Sequence, residues 1–187
     1  MTKLQRITTK YSDEEDRLYL IGENETNEVL TLQLTQRLLT RLLSHLLELI
    51  TKKSSESAQN PSKDLQATDL LQGFAQQAAQ AELPQQPPVE TSSNAKSWLV
   101  KEVDIATSTD LSLTLTFKSS NGDQASLQFR AQQLRQWLTI VNTQWIKAEW
   151  PLNLWPNWMQ ENNEKSPEVS DSINKSEDGE NSNKGFH

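Results

Sequence analysis

Few side chains in this sequence could do chemistry. Among 187 residues there is no cysteine, and the two histidines are His45 and His187. That removes thiolate ligands, a cysteine nucleophile and a disulfide framework. A Ser-His-Asp hydrolase or a histidine-rich metal site would have to be assembled around His45 alone. Its neighbours at three and four residues are Arg41, Leu42, Glu48 and Leu49. Glu48 can hydrogen-bond the imidazole, but no second metal ligand of its type stands on that face. Asp13, Glu14, Glu15 and Asp16 form the densest acidic run, with oxygens suited to hard cations. The run lacks the spaced ligands and central glycine of an EF-hand loop, and a solvated turn accounts for it. No phosphate-cradling loop is built from the five glycines. The expectation is a protein that is not an enzyme, with no catalytic residue, no metal and no cofactor.

The elements are more legible than the chemistry. Sliding the sequence by 95 positions places Leu18, Leu20, Leu30, Leu32, Leu34, Leu39, Leu42, Leu43, Leu46 and Ile50 on Leu113, Leu115, Ala125, Leu127, Phe129, Leu134, Trp137, Leu138, Val141 and Trp145, without a gap. Every pair is apolar on apolar, which reads as an internal repeat. The loops Glu23 to Asn27 and Lys118 to Gly122 match in length. In the second copy Leu111, Leu113, Leu115 and Phe117 alternate with Ser112, Thr114 and Thr116, the period of a strand with one face on a core. Asn121-Gly122 suits the turn that follows, and Ala125, Leu127 and Phe129 continue the alternation. The first strand of that copy is read at Trp98 to Ala106. The first-copy strands are read at Lys3 to Tyr11, Arg17 to Ile21 and Val29 to Leu34. Each third strand runs into a helix, with Thr35 as the N-cap of the first.

The fold class is therefore α+β: tandem βββ-α repeats forming one six-stranded antiparallel sheet, covered by two helices about a pseudo-two-fold axis. The repeats occupy residues 1–52 and 96–148 of a single domain. A Gln/Pro/Ser-rich linker spans 53–95, a Trp/Pro segment 149–160 and a polar tail 161–187, read as disordered for want of apolar residues.

The two helices differ in a telling way. Leu134, Trp137, Leu138, Val141, Trp145 and Ala148 keep to a stripe of about 100°, sufficient for packing on one sheet. The first helix adds Leu38, Leu47 and Leu49 where the second has Gln133, Asn142 and Gln144, widening its apolar arc to about 180°. It requires more cover than its own sheet supplies. Cover could come from the linker, where Ala67, Leu70, Leu71, Phe74 and Ala78 stand at helical spacing behind Asn60-Pro61. The Trp segment and a second chain, either a protein partner or a homodimer through the first helix, are the other candidates. Trp150, Leu154 and Trp155 are expected to pin the Trp segment to the core, leaving Trp158 and Met159 the most exposed. The candidate partner-binding residues are Leu38, Leu47, Leu49, Trp155, Trp158 and Met159.

No stretch approaches the roughly 18 apolar residues of a membrane span, and the first residues lack the apolar core of a secretory leader, so a cytoplasmic protein is expected, with no membrane contact. The net charge of −7 divides into −1 for residues 1–52, −3 for 53–95, +2 for 96–148 and −5 for 149–187. The repeats are nearly neutral, and the acidity belongs to linker and tail. The favoured function is a non-catalytic protein–protein interaction or assembly module. The alternative is single-stranded nucleic-acid binding: the tandem sheet-then-helix order resembles the Pur-alpha and Whirly families, and that resemblance implies binding of single strands on sheet faces. The outward strand positions Thr31, Gln33, Ser112, Thr114, Thr116, Ser126 and Gln128 carry neither the charge nor the aromatics such binding uses, so nucleic acid is not favoured. The LTQRLL segment and the later QWL, QW and WP pattern also resemble small bacterial proteins of unassigned activity.

Overall fold

A computed structural model describes residues 1–57, 65–84, 86–91, 95–108 and 112–160. The expected disordered tail and the Asn60-Pro61 helix start lie outside the described residues. The strands are β1 (Thr2–Ser12), β2 (Arg17–Asn24), β3 (Val29–Thr35), β4 (Lys96–Leu99), β5 (Glu102–Thr107), β6 (Leu113–Lys118) and β7 (Gln124–Phe129). The helices are α1 (Gln36–Ser57), α2 (Leu65–Ala81), α3 (Ala131–Lys147) and a single turn, α4 (Asn157–Gln160), preceded by a 3-10 turn at Leu152–Leu154. The chain is α+β, with a curled sheet of order β4-β3-β2-β1-β7-β6-β5.

Alternation builds this sheet. In β6 the buried Leu113, Leu115 and Phe117 interleave with half-buried Thr114, Thr116 and Lys118. All twenty residues matched by the 95-residue slide are buried, in one cluster made of sheet and helices. The side-chain hydroxyl of Thr35 accepts the N–H of Leu38 at 3.3 Å, the expected N-cap of α1.

The two hairpin loops share their wiring. Asn24 Oδ1 accepts the N–H groups of Thr26 and Glu28, and Ser119 Oγ accepts those of Asn121 and Asp123. Backbone bonds join Asn24 to Glu28 and Ser119 to Asp123. Positive φ falls on Asn27 (60°) and Gly122 (87°), residue types that tolerate the left-handed region.

The sheet differs from expectation in its ends. It is mixed, because the start of β1 pairs in parallel with β7, Leu4 opposite Leu127, and β4 pairs in parallel with β3, Leu32 opposite Trp98. The strand expected at Trp98 to Ala106 is broken into β4 and β5, since one stretch of chain serves both ends of the sheet. At the break, Val100 N–H donates to Gln33 O at 2.9 Å and Lys101 N–H to Lys118 O at 2.9 Å. The sheet curls until its two terminal strands are consecutive in the chain.

Cover also exceeds the two helices expected. α1 lies on β3, α3 on β1 and β7, and α2 touches α1, α3 and α4. The Trp segment is compact, with two short helical turns. Pro151 and Pro156 stop α3 from continuing through it.

Candidate interaction surface

The Trp segment closes over the core. Trp145 stands edge-on to Trp150 (centroids 4.8 Å apart) and to Trp155 (5.9 Å), and its indole N–H donates to Pro151 O at 3.0 Å. Trp150 Nε1 donates to Asp16 Oδ1 at 2.8 Å, and so does the Tyr11 hydroxyl at 2.9 Å. One residue of the acidic run, though exposed, thus accepts two hydrogen bonds from the aromatic cluster, held at the left-handed φ of 48°. The hydrogen bond from Tyr11 to the Asp16 carboxylate raises the pKa of the phenol, with burial adding to it.

This packing relocates the residues expected to meet a partner. Trp155, Trp158 and Met159 are buried, so the exposure expected of Trp158 and Met159 is not observed. The α4 turn packs them against α2, and the Arg135 guanidinium lies 5.8 Å above the Trp158 ring. Leu47 is buried beside Leu154 and Trp155, while Leu38 and Leu49 are half-buried against the core. Leu154 and Trp155 of the Trp segment thus cover part of the wide leucine face, and α2 lies beside α1. His45 is exposed on α1, and among the described residues no cluster of His, Asp and Glu could hold a metal ion.

The exposed apolar surface lies instead on α2, in an orientation opposite to the sequence expectation. Leu70, Leu71 and Phe74 are 62, 63 and 66% exposed, whereas Gln72 and Gln76 are 1% exposed. The helix faces the body with its amides. Gln76 Nε2 donates to Arg135 O at 2.8 Å and to Thr139 Oγ1 at 2.7 Å, and Arg135 donates to Gln72 Oε1 at 2.5 Å. Gln136 Nε2 donates to Ala79 O at 2.9 Å. Burial lowers the pKa of Arg135, and Gln72 Nε2 is buried without an acceptor. Helical periodicity located α2 but not its facing: the amphipathic pattern cannot reveal that the surface beneath, Arg135 and Thr139 of α3, is polar.

A second feature is a cavity of about 640 Å³ between β1, β7 and the start of α3. Residues 83–84 and 86–89 cross it as a strap, tied by Arg6 to Pro87 O at 3.0 Å and by Val89 N–H to Thr8 Oγ1 at 2.8 Å. Phe129 and Trp137, stacked with centroids 5.2 Å apart, form one wall. Trp137 Nε1 donates to Thr9 Oγ1 at 3.1 Å.

No protein-family model, no curated protein and no solved structure matches this chain.

Proposed function

We propose that the protein is a non-catalytic interaction module that docks an amphipathic helix of a partner protein on α2. The carrying observation is the outward stripe: Leu70, Leu71, Phe74 and Ala78 are exposed and span an arc of about 100°. Leaving large apolar side chains in water forgoes about 1.5–3 kcal/mol apiece, which a partner helix recovers by laying its own apolar face there. Asp69 is the one charged residue of α2, so the surface selects an uncharged apolar face. A second copy of this chain offers the same few side chains, and is the competing occupant that the test distinguishes. A heterologous helix can extend its contacts beyond the stripe. This replaces the first helix, Leu38 and Leu47 as the docking element.

Within this reading the domain is a tandem βββ-α repeat with a pseudo-two-fold axis. In its support, the first strand of each half pairs in parallel with the third strand of the other half, and the loop hydrogen bonds coincide under the same 95-residue slide. We also place the protein in the cytoplasm.

Photo-crosslinking in cells from a benzoylphenylalanine at position 74 tests the docking. Crosslinks to one amphipathic helix of another chain, abolished by Leu70→Ser with Leu71→Ser, support it. Crosslinks confined to a second copy of this chain, to nucleic acid or to solvent overturn it.

A further inference from the structure

Beyond Leu4, β1 parts from β7: the parallel pairing ends at Leu4 and Leu127, while β1 continues against β2 to Ser12. In an antiparallel pair, alternate residues direct their N–H and C=O groups to the partner and away from it. Tyr11 N–H is directed away from β2, because it donates to Gln144 Oε1 at 2.9 Å. By the same alternation, Ile7 and Thr9 present their N–H and C=O groups to the side from which β7 has withdrawn. Both residues line the 640 Å³ cavity, and among the described residues no strand lies against that stretch. The result is a short open strand edge at the bottom of a cleft.

We propose that this cleft is a strand-addition site for a short, uncharged, extended peptide. Main-chain donors and acceptors two residues apart match another extended backbone, and strand addition is an established mode of peptide recognition. The walls supply side-chain contacts: Ile7, Phe129, Trp137 and Ile140 are apolar. The charge on the lining is Arg6, which is paired with Glu23 at 2.9 Å, so the cleft has no free charge with which to hold an ionic segment. The volume falls in the range of about 300–1,000 Å³ that ligand clefts occupy. The roofing strap contains Pro84, Pro87 and Pro88, which have no N–H to give and cannot themselves complete the ladder. The terminal strands β4 and β5 each have one unpaired side as well; β4 bears the exposed Lys96, and β5 bears the exposed Glu102 and Asp104, charges that oppose the docking of an apolar strand.

The test is amide hydrogen exchange by NMR on the full chain, free and with a capped pentapeptide of alternating threonine and valine at millimolar concentration. In the free protein, the Ile7 and Thr9 amides exchange at least about tenfold faster than those of Thr8 and Lys10, which face β2. The peptide slows them at least about tenfold, and the same peptide N-methylated on its pairing edge has no effect. A chain carrying Leu70→Ser and Phe74→Ser binds the peptide unchanged, which separates this site from the α2 surface. Ile7 and Thr9 amides already as slow as their neighbours overturn the proposal, as does slowing confined to Glu102–Thr107. Equal binding of the N-methylated peptide also overturns it, since the cleft is then an apolar cavity and not a strand edge.

Discussion

Asp16 is the residue at which the sequence was least legible. It belongs to an acidic run that any composition rule assigns to solvent, and its three companions offer no reason to single it out. Its role comes from Tyr11 and from Trp150, more than a hundred residues away, whose polar hydrogens converge on one carboxylate oxygen. The consequence is a pH dependence of known sign. The Tyr11 pKa is raised above 10.0, first by the hydrogen bond to Asp16 and then by burial, so folding favours the neutral phenol. Its stabilisation is complete below pH 10 and is lost as the pH rises through the elevated folded value. Tyr11→Phe removes that contribution. Urea midpoints of the parent and the variant therefore differ at pH 9, and the difference shrinks at pH 11. A constant difference contradicts the coupling.

At the scale of elements, most strand positions, the loops and the three long helices were legible because alternation and 3.6-residue periodicity are local properties. The facing of α2 was not, since a helix with an apolar and an amide face can dock by either when the surface below is polar. Nor was the bulge in β1 between Leu4 and Arg6, which arises from pairing with β2. Just past it, paired with Ile7, stands Gly22, where a Cβ would lie 2.6 Å from Leu4 Cδ1, inside any tolerable contact. Leu4 is itself buried, at the point where β1 is still paired with β7. Gly22→Ala thus forces a core side chain out of place and is expected to cost about 1–3 kcal/mol, as overpacking does. Chemical denaturation measures it, and a change below about 0.5 kcal/mol shows that Leu4 can yield freely.

For the molecule as a whole, the apolar pattern reads as two matching halves, the repeat proposed above, and gives no sign of how residues 1–57 and 95–148 interlock. Each half lends the start of its first strand to the other, so neither has a complete sheet alone. A fragment of residues 1–57 lacks both β7 beside β1 and β4 beside β3. It is expected to show no cooperative transition in urea by circular dichroism, whereas the full chain unfolds in one step. Trp98, on β4 where the sheet ends meet, and Trp145, among the aromatics, should report the same midpoint as single-tryptophan probes. A folded fragment or separated midpoints would show the halves to be independent.

The arrangement of the sheet's ends bears on solubility at high concentration. Unpaired strand sides are the places where molecules stack into fibrils. Among the described strands such stretches include β4, β5 and β1 beyond Leu4, and the last two carry their own guards. Glu102 and Asp104 share the single Lys118, which leaves β5 with a net negative charge, so two copies meeting there repel. Three prolines roof the β1 stretch, a residue that cannot pass a ladder onward. The same strap that shapes a peptide cleft thereby acts as a gatekeeper against self-assembly, and its prolines serve the protein even when the cleft is empty.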